Sequence, residues 1–150
     1  MVRGRFLAVL TTALAAGCLG PTDQFSDQIH EDAKQQWATN GPSSYSYVLT
    51  RVCLCVVTDE PVKVEVQNGT IVSWTYVNSN TPLEAQHQSD FPDVPGLFEF
   101  IEDTRRGNPF YFSASYDQTY GFPATLNLNI TASSAADDLQ MTATEFTPIN

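Results

Sequence analysis

Val62, Val64 and Val66 alternate with Lys63, Glu65 and Gln67, and the run ends in Asn68-Gly69. Successive side chains of a strand point to opposite faces, so the three valines share one side and the three polar residues the other. Asn-Gly suits a two-residue hairpin turn because both central positions need a positive φ. The chain is therefore predicted to turn back there, pairing Gln67 with Thr70 and Val66 with Ile71. An isolated two-stranded hairpin is at best marginal in water, so its valine side needs further strands or a helix against it. The rest of the chain must supply that cover.

Two segments have helical spacing. Within residues 23–39, Phe25, Ile29, Ala33 and Trp37 recur every four residues with charged residues between them, and Gly41-Pro42 closes the run. Asp93 is placed to cap a second helix that tolerates Pro95 in its first turn, buries Leu97, Phe98 and Ile101, and ends at Arg105-Arg106-Gly107. The other apolar segments read as strands: 44–57, 61–67, 70–77, 110–116, 124–130 and one beginning near Leu139. The predicted class is α+β, in the order αβββαβββ, with a mostly antiparallel sheet of about six strands and both helices on one face. Each half runs helix then three strands, with a spacing near 66 residues from Trp37 to Asp103; duplication and convergence both produce such a pattern. The polar stretch from Asn78 to Pro92 reads as an exposed loop.

A regular hairpin would place Val62, Val64, Val66, Ile71 and Val77 on the covered face and Val72, Trp74 and Tyr76 on the open one. In the second half the open face is rich in hydroxyls and amides: Ser113, Ser115, Thr125, Asn127, Asn129, Thr142 and Thr144. Exposed aromatics on a rigid sheet suit recognition, so Trp74 and Tyr76, with His87 in the adjoining loop, are the binding-surface candidates; the alternative for the two aromatics is burial under the Asn78–Pro92 loop.

The N-terminus carries an address. Arg3 and Arg5 precede an uncharged, largely apolar run from Phe6 to Ala16, and Ala15-Ala16-Gly17 leads into Cys18. This is the layout of a secretory signal, and the run is too short to span a bilayer. The ending resembles the lipobox of bacterial lipoproteins, although Leu14 stands one place earlier than the leucine of the usual pattern. That resemblance implies lipid attachment at Cys18, a signal peptide over 1–17, a tether over 18–23 and a single domain over 24–150. It places the protein on the cell envelope, at the periplasmic face of the outer membrane or at the cell surface; an ordinary signal cut nearby would leave Cys18 as a thiol. Removal of the signal leaves five basic against seventeen acidic residues, a net charge of −12. Such a chain repels phosphate backbones, so nucleic acid is not an expected partner.

Chemistry-bearing residues are few. Cys53 and Cys55 lie two apart and point the same way on an extended strand. A two-residue turn at Asp59-Glu60 would set Cys53 opposite Val66 and Cys55 opposite Val64. The pair reads as a disulfide, as two inert thiols, as half of a soft-metal site or as a redox centre. Export favours the disulfide, which needs a kink in the strand because cysteines two apart on a flat strand are at the limit for bridging. With His30 and His87 as the only histidines, no ligand spacing emerges, and neither a metal nor another cofactor is expected. No catalytic group stands out. Arg51 shares the parity of the two cysteines and, if covered, needs a carboxylate.

Tyr45-Ser-Tyr47, Arg51-Val-Cys53-Leu-Cys55, the Pro61–Gly69 strand and turn, Leu97-Phe98 with Ile101, and Tyr116-Asp117 followed by Tyr120-Gly-Phe-Pro123 together resemble the bacterial family DUF6174. The resemblance covers about residues 34–131 and implies a small secreted or lipid-anchored protein without supplying an activity. The expected function is a non-catalytic envelope domain that binds a protein or a small ligand. The alternative is a thiol-based redox or metal-handling protein using Cys53 and Cys55.

Overall fold

Asn68 and Gly69 take φ values of 50° and 74° at the hairpin turn, and Gln67 pairs with Thr70 as the alternation requires. The structure is a computed structural model that describes residues 27–53, 60–133 and 138–149. Its elements are α1 (Asp27–Asn40), β1 (Tyr45–Cys53), β2 (Val62–Gln67), β3 (Thr70–Tyr76), a 3-10 helix (Ala85–Asp90), α2 (Val94–Arg106), β4 (Tyr111–Tyr116), β5 (Pro123–Asn129) and β6 (Leu139–Pro148). The six strands form one antiparallel sheet in the order β3-β2-β1-β6-β5-β4. The class is α+β. The expected order αβββαβββ with two helices is corrected by the 3-10 helix, which forms within the polar stretch read as a loop; that stretch has no apolar period to announce a helix.

The strand order also bears on the two similar halves. Tandem duplication about a two-fold axis would exchange β1 with β4, but in this order an axis through the middle of the sheet exchanges β1 with β6. The geometry favours convergence.

One sheet face carries the core. Tyr45, Tyr47 and Leu49 of β1 face Val66, Val64 and Val62 of β2, and all six are buried. Phe112, Leu126, Leu128, Met141 and Ala143 extend the layer, and Ala33 of α1 with Val94, Leu97, Phe98 and Ile101 of α2 joins the same cluster. α2 forms as its sequence demands: the Asp93 side chain accepts the Gly96 N–H at 2.9 Å, and Pro95 falls in the first turn. The first amides of a helix have no intrahelical acceptor, and a strand tyrosine serves one of them, the Val94 N–H donating to Tyr45 Oη at 3.0 Å. Tyr47 donates from beside it to the Pro92 carbonyl.

α1 buries a face rotated from the expected stripe. His30 and Ala33 are buried and Trp37 is half-buried, whereas Ile29 is 59% exposed and Phe25 lies outside the described residues. The rotation is explained by partners, because His30 has a hydrogen-bonding phenol and two aromatic rings to meet inside.

Register shifts interrupt three of the strand pairs, between β1 and β6, β2 and β3, and β4 and β5, and the first two redirect aromatic side chains. Between β2 and β3, Glu65 faces Ser73 and Val66 faces Ile71, so Val72 is the extra residue. A one-residue insertion reverses parity beyond it. Trp74 and Tyr76 therefore face Val64 and Val62 on the covered side, which corrects their expected place on the open face. Between β1 and β6 the register shifts near Glu145, whose φ is 53°. That shift brings Phe146 into an aromatic cluster with Tyr45, Trp37, Tyr120 and Phe122 at centroid distances of 5.2, 5.9, 5.0 and 4.7 Å.

Burial raises the phenols of Tyr45, Tyr47 and Tyr116 well above the usual tyrosine range. A raised phenol contributes stability that is complete below the unfolded value of about 10 and is lost as pH climbs past it, because the unfolded chain releases those protons first. The urea midpoint should therefore be insensitive to these groups between about pH 7 and 9 and should fall above about pH 10. Phenolate absorbance from these three tyrosines should appear together with unfolding; ionisation in the folded protein near the ordinary value would contradict the packing.

Candidate functional site

The side chains singled out by the sequence fall into two regions. At one end of the sheet, the Trp74 indole donates to the Phe91 carbonyl at 2.7 Å and the Tyr76 hydroxyl donates to Glu84 Oε2 at 2.7 Å. Glu84 and Phe91 flank the 3-10 helix, which carries His87 half-buried. Burial, with the Glu84 hydrogen bond, raises the Tyr76 phenol to about 12, and the same bond holds the Glu84 carboxyl below its usual range. The three binding-surface candidates are thus brought together, but as a packing joint: the polar atoms of both aromatics are spent on the segment that covers them.

Arg51 meets the carboxylate it needs. Its Nη1 lies 2.9 Å from Asp90 Oδ1 and donates to the Asp90 carbonyl at 2.7 Å, and its guanidinium carbon is 6.0 Å from the centre of the Phe91 ring. The arginine side chain is 12% exposed and ties β1 to the end of the 3-10 helix. It also borders a smaller opening of about 320 Å³ with Asp90, Glu99 and Asp103.

Cys53 ends β1 opposite Leu139 of β6. The expected pairing with Val66 is corrected: Val66 faces Tyr45, because the bulky Tyr45, Tyr47 and Leu49 fill the layer under α2. The expected turn at Asp59-Glu60 lies in part outside the described residues. Cys53 is not a free thiol. Cys55 and Cys18 lie outside the described residues.

His30 belongs to no motif, and only the fold gives it partners. Its Nδ1 is 2.7 Å from Tyr116 Oη, its Nε2 is 3.6 Å from Glu102 Oε1, and Glu102 also binds Lys34. The Lys34 hydrogen bond holds the Glu102 carboxyl below its usual range. The imidazole meets Phe98 and Tyr116 edge-on. This joint fastens α1 to α2 and β4, with the imidazole buried and Glu102 and Lys34 on its exposed side.

A wider opening than the one beside Arg51 lies where β1, β4, β5 and β6 come together. It is a cleft of about 780 Å³. Val52, Gln140 and Asn127 stand in one row across β1, β6 and β5, and Asn129 faces Tyr111 one row further out. By strand parity these side chains lie on the sheet face away from the helices, in the half whose sequence is rich in amides. Cys53, Leu128 and Leu139, of opposite parity, border the cleft at the strand ends, together with Phe110 and Asp138. Val52, Phe110 and Tyr111 are 50%, 66% and 39% exposed. Exposed apolar side chains of that size beside a concave surface are unusual in a domain with no binding role. Among the described residues no cluster of three or more His, Cys, Asp or Glu side chains is placed to hold a metal ion.

Residues 30–148 match the family model described as a family of unknown function (DUF6174). No curated protein and no solved structure matches the chain.

Proposed function

The chain belongs to the DUF6174 family, and from that premise we propose that it is a non-catalytic, lipid-anchored domain of the cell envelope that takes its ligand in the cleft between β1, β4, β5 and β6. The observation that carries this reading is the cleft itself. It combines exposed apolar side chains with three amides on a rigid sheet, whereas Arg51, Trp74 and Tyr76 are engaged in packing joints. The membrane end rests on Cys18 and the signal-like residues before it. Two or three acyl chains at about 0.8 kcal/mol per buried methylene hold a protein firmly on a membrane.

Two experiments test the two ends of the proposal. Cys18→Ser should move the protein from the membrane fraction to the soluble one; a wild-type protein found wholly soluble removes the anchor. A photo-crosslinking residue at Val52, within the cleft, should give an adduct in intact cells. The same residue at Gln67, on the exposed hairpin, should give none. Absence of an adduct at Val52 removes the cleft as the binding site.

A second reading is favoured by one observation, the presence of Cys53 on the rim of the cleft. A redox or metal-handling role would use Cys53 with Cys55. A reactive thiol needs an electropositive setting, and the described lining contains no lysine or arginine. The pair is better suited to a structural bridge that kinks the end of β1. Thiol counts on native and unfolded protein separate the readings: alkylation of two native thiols, or stoichiometric metal, favours the second.

A further inference from the structure

The lining of the cleft restricts what it can hold. Its charged member among the described residues is Asp138, and the mature chain bears a net charge of −12, so an anionic ligand is repelled. A wholly apolar ligand fits poorly as well, because it would cover Asn127, Asn129 and Gln140 and leave their polar atoms without the hydrogen bonds that water gives them. Asn129 Oδ1 is already screened from solvent without a hydrogen-bond partner, an acceptor to which a ligand hydroxyl could donate after a small shift. Asn127 is oriented by donation from its Nδ2 to Ser113 Oγ at 3.3 Å.

Three amides beside aromatic rings suit a neutral molecule with many groups that both donate and accept, as amides do, and with an apolar face for a ring; a cation would use Asp138 alone. Tyr111 and Phe110 offer such rings at the mouth of the cleft. We propose that the cleft binds a neutral saccharide, with Tyr111 as the stacking platform and Asn127, Asn129, Gln140 and Asp138 as the hydrogen-bonding groups. This rests on the cleft being the binding site.

The test is calorimetric titration of the full protein, extracted in a detergent without a sugar headgroup, with cellobiose, maltotriose and N,N′-diacetylchitobiose. At least one should bind with a Kd on the order of 0.1–1 mM. Added salt should leave that Kd unchanged, because the ligand carries no charge. Tyr111→Phe should keep the affinity, and Tyr111→Ala should weaken it about ten-fold or more. Undiminished binding by Tyr111→Ala overturns the proposal. So does binding of spermidine in place of all three saccharides. If no saccharide binds while the crosslinker at Val52 still captures a species, the saccharide is wrong and the cleft stands. If both fail, the cleft falls with it.

Discussion

Gly121→Ala should destabilise the domain by about 2–5 kcal/mol, a large part of the 5–15 kcal/mol that holds a typical domain together. Gly121 has a φ of +83°, and a Cβ there would lie 2.4 Å from the Ala33 carbonyl oxygen and 2.9 Å from Gln36 Cβ. The first contact is with backbone, so α1 itself must move. The turn beneath is tightly held: Asp117 Oδ1 accepts the N–H groups of Thr119 and Tyr120, and the Gly121 N–H donates to the Asp117 carbonyl. Gln36 reaches from α1 to the carbonyls of Gln118 and Thr119 at 2.8 and 3.0 Å, so displacing the helix breaks those bonds too. Gly69 is the control. It has a φ of +74° and open space where a methyl group would stand, so Gly69→Ala should show the dihedral cost alone, about 1–2 kcal/mol. Equal urea midpoints for the two variants would show that the close approach of α1 to the turn is not what holds it.

Phe91→Ala should cost about 3–5 kcal/mol, the range for truncating a fully buried phenylalanine. Phe91 is 0% exposed and follows the 3-10 helix. Its ring lies beneath the Arg51 guanidinium and its carbonyl accepts the Trp74 indole, so the side chain anchors the segment that covers both β1 and β3. Phe110→Ala, 66% exposed, should change stability by no more than about 0.5 kcal/mol. Equal losses for the two variants would show that the segment over Trp74 and Tyr76 is not anchored as described.

What could be read from the sequence was local. The valine alternation and Asn68-Gly69 specify the hairpin because both act within a few residues, and α2 announces itself through Asp93, Pro95 and Arg105-Arg106 for the same reason. Sequence pattern misleads where a distant contact decides. The bulge at Val72 turns Trp74 towards the Phe91 carbonyl, and nothing in residues 70–77 records that the acceptor will be there. His30 is a polar interruption beside an apolar stripe until Tyr116, far along the chain, supplies its partner. The cleft was the least legible feature. Its residues come from four strands and form no motif, and its amides were readable only as the wet face of alternating strands.

The pairing of β1 with β6 has a consequence for how this sheet assembles. β1 is central, with β2 on one side and β6 on the other, and the β1–β6 ladder joins residues at opposite ends of the described chain. Contacts of such high order carry a large loop-closure entropy and form late. The β1-β2-β3 meander can form first, but until residues 139–148 arrive one edge of β1 is an open template for any passing strand. A chain emerging from its N-terminus would therefore remain unlatched until residues 139–148 had followed, and that interval is when a holding chaperone would matter most.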